Sequence, residues 1–354
     1  MRAAATLLSS AESTQALLDL LRCTGISGEM APLDNDARAL LGLDAISDCQ
    51  LALSRGTMRV LVGRLDGRAA LRDVLQRAAR TLSARAPNVL WLVAIADTSN
   101  RAAAIAGWTS DARGTPRISS FVWEPGRVVD SDAETLCALA GVGGDTDVLF
   151  HARCLEVLGR ERLTRRFYRA LRAEVEALAE SLPRGAEVPD RRHVALLYTS
   201  RLLFLCFLEA KGWLNGERSF VASRFDECMR VGGRFHQRVL LPLFFGTLNT
   251  PFSRRAHAAR MFGAVPFLNG GLFTRTAAER RMASARFPDE RLGSMLQELF
   301  LRFRFVARED SASWSEASVD PEMLGRAFES LMAASDRRTS GVYYTPHDLV
   351  ARVA

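Results

Sequence analysis

The stretch Val89 to Ala96 (Val-Leu-Trp-Leu-Val-Ala-Ile-Ala) constrains this chain more than any other, because it is apolar at every position. Side chains alternate across a strand, so an uninterrupted apolar strand needs cover on both faces. The run predicts a central strand with helices above and below it. Its neighbours fit that arrangement. Ser9 and Glu12 stand at capping-box spacing ahead of Ala16, Leu17, Leu18, Leu20 and Leu21, with Gly25 as a stop. Cys49 to Leu53 and Met58 to Leu65 read as strands joined by a Ser54-Arg55-Gly56-Thr57 turn. A helix from Ala69 to Ala84 carries Leu71, Val74, Leu75, Ala78 and Leu82 on one face, and Arg117 to Trp123 supplies another strand. The expected product is an α/β sandwich over 1–145, closed by Gly141-Val142-Gly143-Gly144-Asp145.

Beyond that boundary the pattern becomes mainly α-helical, over 146–335. Arg153 to Leu182 has helical periodicity, and Pro183-Arg184-Gly185 breaks it. His193 to Lys211 is apolar nearly all round, which predicts a central helix inside a bundle. Its most lipid-like part, Leu202 to Leu208, is far shorter than the roughly 20 residues that span a bilayer. A helical stretch over about Ser219 to Phe245 leads to a turn-rich section from Gly246 to Arg275. Asp320 as N-cap and Pro321 as first helical residue open a last helix.

At 354 residues, with 48% hydrophobic and 25% charged, the chain has the composition of an ordinary globular protein. Its formal charge is +7, and Lys211 is the only lysine. The excess is uneven: residues 1–150 hold 15 basic and 17 acidic side chains, residues 151–354 hold 32 and 23. A nucleic-acid face or a solvated mixed surface accounts equally for that imbalance. Six cysteines without a CxxC pair, together with a short apolar run at the N-terminus, read as buried reduced thiols in a cytoplasmic protein.

Several chemistries are excluded or disfavoured. No GxSxG elbow, P-loop, GxGxxG or HExxH occurs, and the five histidines are scattered, so no catalytic or metal-ligating residue is assigned. The order helix, hairpin, helix, buried strand is that of PD-(D/E)xK nucleases. Such a site needs a carboxylate near the hairpin start, for which Asp44 or Asp48 would serve, and an acid-x-lysine on the next strand. Met58 to Leu65 carries no acid, and Lys211 is remote in sequence. The sandwich is therefore expected to be nuclease-like and noncatalytic.

The segment Ser340-Gly341-Val342-Tyr343-Tyr344-Thr345-Pro346-His347-Asp348 carries the most specific signal. Thr345 suits an N-cap, Pro346 the first helical position and Asp348 the third. The helix start they predict offers unpaired N–H groups to a small anion such as a carboxylate, with Tyr343 and Tyr344 as pocket walls. Gly341 to Pro346, preceded by Leu324 to Glu329 and Arg337-Arg338, resembles the segment leading into N6-adenine DNA methyltransferases of type IIG restriction-modification enzymes. The PglX-like methyltransferases of BREX phage defence share that segment. Ser200 to Leu214, Leu243 to Asn249 and Val265 to Phe273 are similar to further segments of these enzymes, in the same order.

The resemblance implies a Rossmann-like methyltransferase domain beginning within 336–354. It implies S-adenosylmethionine as cofactor, with Tyr343, Tyr344, Thr345 and Pro346 helping to bind its methionine end. The implied partner is double-stranded DNA, with the adenine flipped from the duplex. Neither a glycine-rich cofactor loop nor an Asn-Pro-Pro tetrapeptide occurs in these residues. The expectation is therefore the N-terminal part of a longer or split enzyme. A separate methyltransferase polypeptide or other defence-system subunits would complete it. The alternative is a noncatalytic DNA-binding or assembly subunit of a defence complex.

Overall fold

The computed structural model describes residues 1–325, apart from 27, 29, 68, 112–113, 184–186, 269, 309–310, 312 and 324. The chain forms two compact units: Met1–Arg165 with Asp310–Val319, and Arg166–Glu309 continued from Asp320. The division falls inside a helix.

The first unit is α/β, built on a mixed seven-stranded sheet in the order β1 to β7. The strands are β1 Ala31–Pro32, β2 Ser47–Arg55, β3 Met58–Leu65, β4 Leu90–Asp97, β5 Ala102–Ser110, β6 Pro116–Trp123 and β7 Trp314–Glu316. β3 and β4 run parallel, as do β6 and β7, and the other pairs are antiparallel. The helix order begins with α1 Arg2–Ser9, α2 Thr14–Cys23, α3 Asn35–Leu41 and α4 Leu71–Arg85, the last making the crossover between β3 and β4. α5 Asp130–Ala140 and α6 Asp147–Leu158 follow β6.

Alternation along β4 sorts the unit into three layers. Leu92, Ala94 and Ala96 enter a core with Leu8, Leu17, Leu136 and Leu155 from α1, α2, α5 and α6. Trp91, Val93 and Ile95 enter the other, with Leu75, Ala78 and Leu82 of α4. The apolar run is thus covered on both faces, as its composition requires. Trp123 donates its indole N–H to Leu8 O at 3.0 Å, which pins α1 to the sheet. β7 reaches β6 from nearly two hundred residues downstream, pairing Trp314 with Ile118 and burying its indole in the α4-side core.

Four local readings change. Ser9 ends α1, and Ser13 caps α2 by accepting from Ala16 N at 3.2 Å. β5 was not visible in the sequence because Ala-Ala-Ala-Ile-Ala-Gly carries helical propensity, and burial between β4 and β6 overrides it. Gly159 interrupts the long helix predicted from Arg153, dividing it into α6 and α7 Arg160–Glu180. Of the cysteines, Cys49, Cys154, Cys206 and Cys228 are buried, but Cys23 and Cys137 are exposed. Burial pushes the Cys49 thiol up to about 11 and that of Cys154 to about 12.

The second unit is helical. α8 Val188–Ala210 is long and apolar enough to cross a membrane by composition, yet 61% of its apolar window is buried inside the protein. It is the core helix that the sequence pattern predicts. α9 Phe220–Arg230 follows, then Gly232 and Gly233, both at positive φ, turn the chain into a π-helical run. Asp320 caps the last described turn, accepting from Met323 N at 2.9 Å.

Gly107 on β5 is a packing requirement. A Cβ there would lie 2.5 Å from Leu92 Cδ2, 2.7 Å from Leu155 Cδ2 and 3.0 Å from the Trp91 carbonyl. Gly107→Val should destabilise the first unit by about 2 kcal/mol, whereas Gly126→Ala, in open space, should change it by less than about 0.5 kcal/mol. Urea unfolding followed by tryptophan emission reads this, since Trp91, Trp108, Trp123 and Trp314, four of the five tryptophans, belong to that unit and the fifth, Trp213, is already exposed.

Candidate functional site

The three segments singled out over Ser200 to Leu214, Leu243 to Asn249 and Val265 to Phe273 converge on one side chain, Arg201. It lies on α8 one helical turn from Tyr198 and has no solvent exposure. Its guanidinium meets Glu279 in a bidentate pair, Nη1 to Oε1 at 2.6 Å and Nη2 to Oε2 at 3.0 Å. Nε donates to Leu272 O at 2.7 Å and Nη2 to Thr274 O at 3.1 Å. The rings of Tyr198, Phe244 and Phe245 lie 5.3, 5.5 and 5.1 Å away. Glu279 also accepts from Thr276 N at 2.9 Å, closing a capping box over Ala277–Arg281. With each polar atom engaged, the desolvated pair is held in one geometry.

Beside this pair the backbone leaves α-helical geometry. His236–Leu240 and Pro242–Leu248 are π-helical, with Leu241 N bonded to His236 O and Asn249 N to Phe244 O at 3.1 Å. Thr247 and Thr250 hydroxyls donate to the carbonyls five residues back, Pro242 O at 3.1 Å and Phe245 O at 2.8 Å. π-helical turns are rare and concentrate at functional sites. The widened turns carry His236 into a narrow cleft lined by Tyr198, Arg275, Glu279, Arg286 and Phe287, with room of about 30 Å³. That admits one or two water-sized atoms.

The charged side chains lining the cleft are Arg275, Arg286 and Glu279, the last paired with Arg201. Residues 228–288 as a whole contain ten arginines and a single acid, Glu279. Several of the arginines have structural work: Arg255 is buried and donates to Thr250 O at 3.0 Å and Val265 O at 2.9 Å, and Arg281 pairs with Asp190 at 2.6 Å. Arg275 and Arg286 are exposed at the cleft. Burial, reinforced by the Arg286 charge, lowers the His236 pKa to about 4, so the imidazole is neutral at pH 7. Burial likewise pushes the Tyr198 phenol up.

The positions predicted from sequence lie elsewhere. Tyr343, Tyr344, Thr345 and Pro346 fall outside the described residues. Asp44 is exposed ahead of β2 and Asp48 is exposed on it, and β3 bears no acid. Asp66, which the sequence reading passed over, follows β3 directly. Its carboxylate accepts from Ser47 Oγ at 2.6 Å, Thr98 Oγ1 at 3.0 Å and Arg64 Nε at 3.0 Å; the Ser47 bond leads in holding its pKa low. Asp97, at the end of β4, is buried and accepts from Asn100 N at 3.0 Å and Asn100 Nδ2 at 2.9 Å. Among the described residues no three His, Cys, Asp or Glu side chains gather as metal ligands. Lys211 stacks over Trp213 at 5.0 Å, in the second unit. His151 is a satisfied core histidine, 3.1 Å from Trp91 O.

One comparison bears on function. The chain is 28% identical over 183 residues to a Methanocaldococcus jannaschii protein named "Putative type II restriction enzyme and methyltransferase". The matched region is 49% of this chain and 15% of that relative, so only a fraction of the relative's length is represented. No family model matches, and no solved structure matches. The chain is thus an α/β unit and a helical unit similar in sequence to a restriction-modification protein.

Removing one member of the buried pair strands the other. Arg201→Met should cost about 3–5 kcal/mol, and Arg201→Met with Glu279→Leu should recover part of the loss. Thermal unfolding of the two variants measures the coupling. His236 gives a pH signature. Its folded pKa lies below the unfolded value of about 6.5, so its contribution is complete above that pH. As pH falls from about 6.5 toward about 4, only the unfolded state takes up the proton, and stability declines. The difference in urea midpoint between the wild type and His236→Asn should vary over that window and flatten above it.

Proposed function

We propose that these residues are the N-terminal part of a restriction-modification or phage-defence enzyme that methylates adenine N6 in DNA with S-adenosylmethionine. The observation that carries this reading is the similarity to the Methanocaldococcus jannaschii protein. It agrees with the ordered segments ending in Gly341 to Pro346. In this reading the first unit is a nuclease-like sandwich without cleavage chemistry. The helical unit supports a Rossmann-like methyltransferase domain whose first motif is Tyr343-Tyr344-Thr345-Pro346. The sequence predicts a helix start at Thr345 and Pro346, whose backbone N–H groups would take the cofactor carboxylate beside the two tyrosines. The remaining chemistry, holding the flipped adenine amine and placing the methyl group, belongs to motifs these 354 residues lack. Double-stranded DNA is the partner, and the arginine-rich segment 228–288 supports phosphate contact. The setting is the cytoplasm.

A noncatalytic DNA-binding or assembly subunit is the second reading, favoured by that same arginine excess. The two readings separate in one assay. The protein encoded by the whole gene, with any neighbouring methyltransferase subunit, is incubated with duplex DNA and methyl-labelled S-adenosylmethionine. Label at adenine N6, with Thr345→Ala weakening cofactor binding about tenfold through loss of the cap, is the expected result. Salt-sensitive DNA binding without any methyl transfer would select the second reading.

A further inference from the structure

We propose that the cleft containing His236 is an oxyanion seat that takes a phosphate group between Arg275 and Arg286, with the His236 imidazole donating from the floor. Three observations meet here. His236 is 3% exposed, and neither Nδ1 nor Nε2 has a hydrogen-bond partner. Buried polar atoms are nearly always satisfied, so a doubly unpartnered ring lining a cleft calls for a hydrogen-bonding atom there, from water or from a ligand oxygen. The ring is held in place: Tyr198 and Phe287 pack against it at centroid distances of 5.1 and 5.2 Å.

The cationic rim supplies the second observation. Arg286 Nη1 donates to Ala283 O at 2.6 Å and Ala285 O at 2.7 Å, which anchors its guanidinium. Arg275 is fixed by stacking 4.3 Å over Phe245. Arg275 and Arg286 both line the cleft that holds His236, and the carboxylates whose charge also reaches the imidazole are Glu279 and Asp289. Glu279 lines the cleft too, but its oxygens are taken by Arg201 and Thr276 N, so they are not open to a ligand; Asp289 accepts from Arg234 N and Phe235 N at 2.6 and 2.7 Å. Guanidinium forks and a neutral imidazole N–H are donors matched to phosphate oxygens.

Size is the third. Room of about 30 Å³ accepts an oxygen atom or two of a phosphate. The phosphate therefore enters from outside, either as free phosphate or as a phosphodiester of a DNA backbone. The second source rests on the DNA reading given above; the first does not.

Inorganic phosphate is titrated into the full chain while long-range proton–nitrogen spectra follow the histidine rings. His236 resonances should shift saturably. Arg275→Ala and Arg286→Ala should each weaken phosphate binding about tenfold or more, since each removes a charge-assisted contact. Arg254→Ala, on the same basic segment but not lining the cleft, should leave it unchanged. A His236 ring that does not respond, or an Arg254→Ala effect equal to that of Arg286→Ala, overturns the seat in favour of diffuse charge. A short duplex is then added to the phosphate complex. Displacement of phosphate identifies the backbone phosphodiester as the ligand. Phosphate binding that a duplex does not displace leaves the seat intact and counts against the DNA reading alone.

Discussion

A guanidinium without solvent exposure must find every partner within the protein, and Arg201 is the interaction on which the helical unit depends. Its bonds reach Glu279, Leu272 O and Thr274 O, and its faces meet Tyr198, Phe244 and Phe245. One side chain thereby fixes α8 against two segments more than forty residues downstream. The cost of desolvating both charges is offset because each guanidinium nitrogen and both carboxylate oxygens are engaged, which makes the arrangement specific rather than merely adhesive. Phe244 and Phe245 reach Arg201 from a π-helical run, and the same run places His236 in the cleft.

The α/β unit depends on a plainer constraint. A strand with no polar face cannot lie at a surface, so β4 requires both helical layers, and the sheet extends from it on either side. β7 adds a long-range tie, because its indole completes the α4-side core from the far end of the described chain.

Legibility in the sequence tracks the range of the interaction. β4, α4, the β2–β3 hairpin, α8 and the cap at Asp320 rest on contacts within one element or turn, and periodicity exposes them. β5 is hidden because its alanines favour helix until the flanking strands bury them. The boundary between α6 and α7 was hidden because the apolar spacing runs on through Gly159. At the cleft the residues were visible but their meeting was not. Arg201 sat inside a segment noted for resemblance, whereas Glu279 and His236 carried no local signal. The ten arginines facing one acid over 228–288 could have been found by counting in a shorter window than half the chain.

The sequence by itself determined that an α/β region precedes a helical one, that β4 and α8 are buried, and that positive charge gathers in the second part. Those follow from hydrophobic period and composition, which are properties of a chain in any register. The tertiary structure alone decided that Arg201 would pair with Glu279, that β7 would close the sheet of a unit it is distant from in sequence, and that His236 would stand partnerless between two rings. Each of these joins residues dozens to hundreds of positions apart. Such a contact is favourable only after the entropy of closing the intervening chain has been met by burial elsewhere, and no local pattern records that exchange.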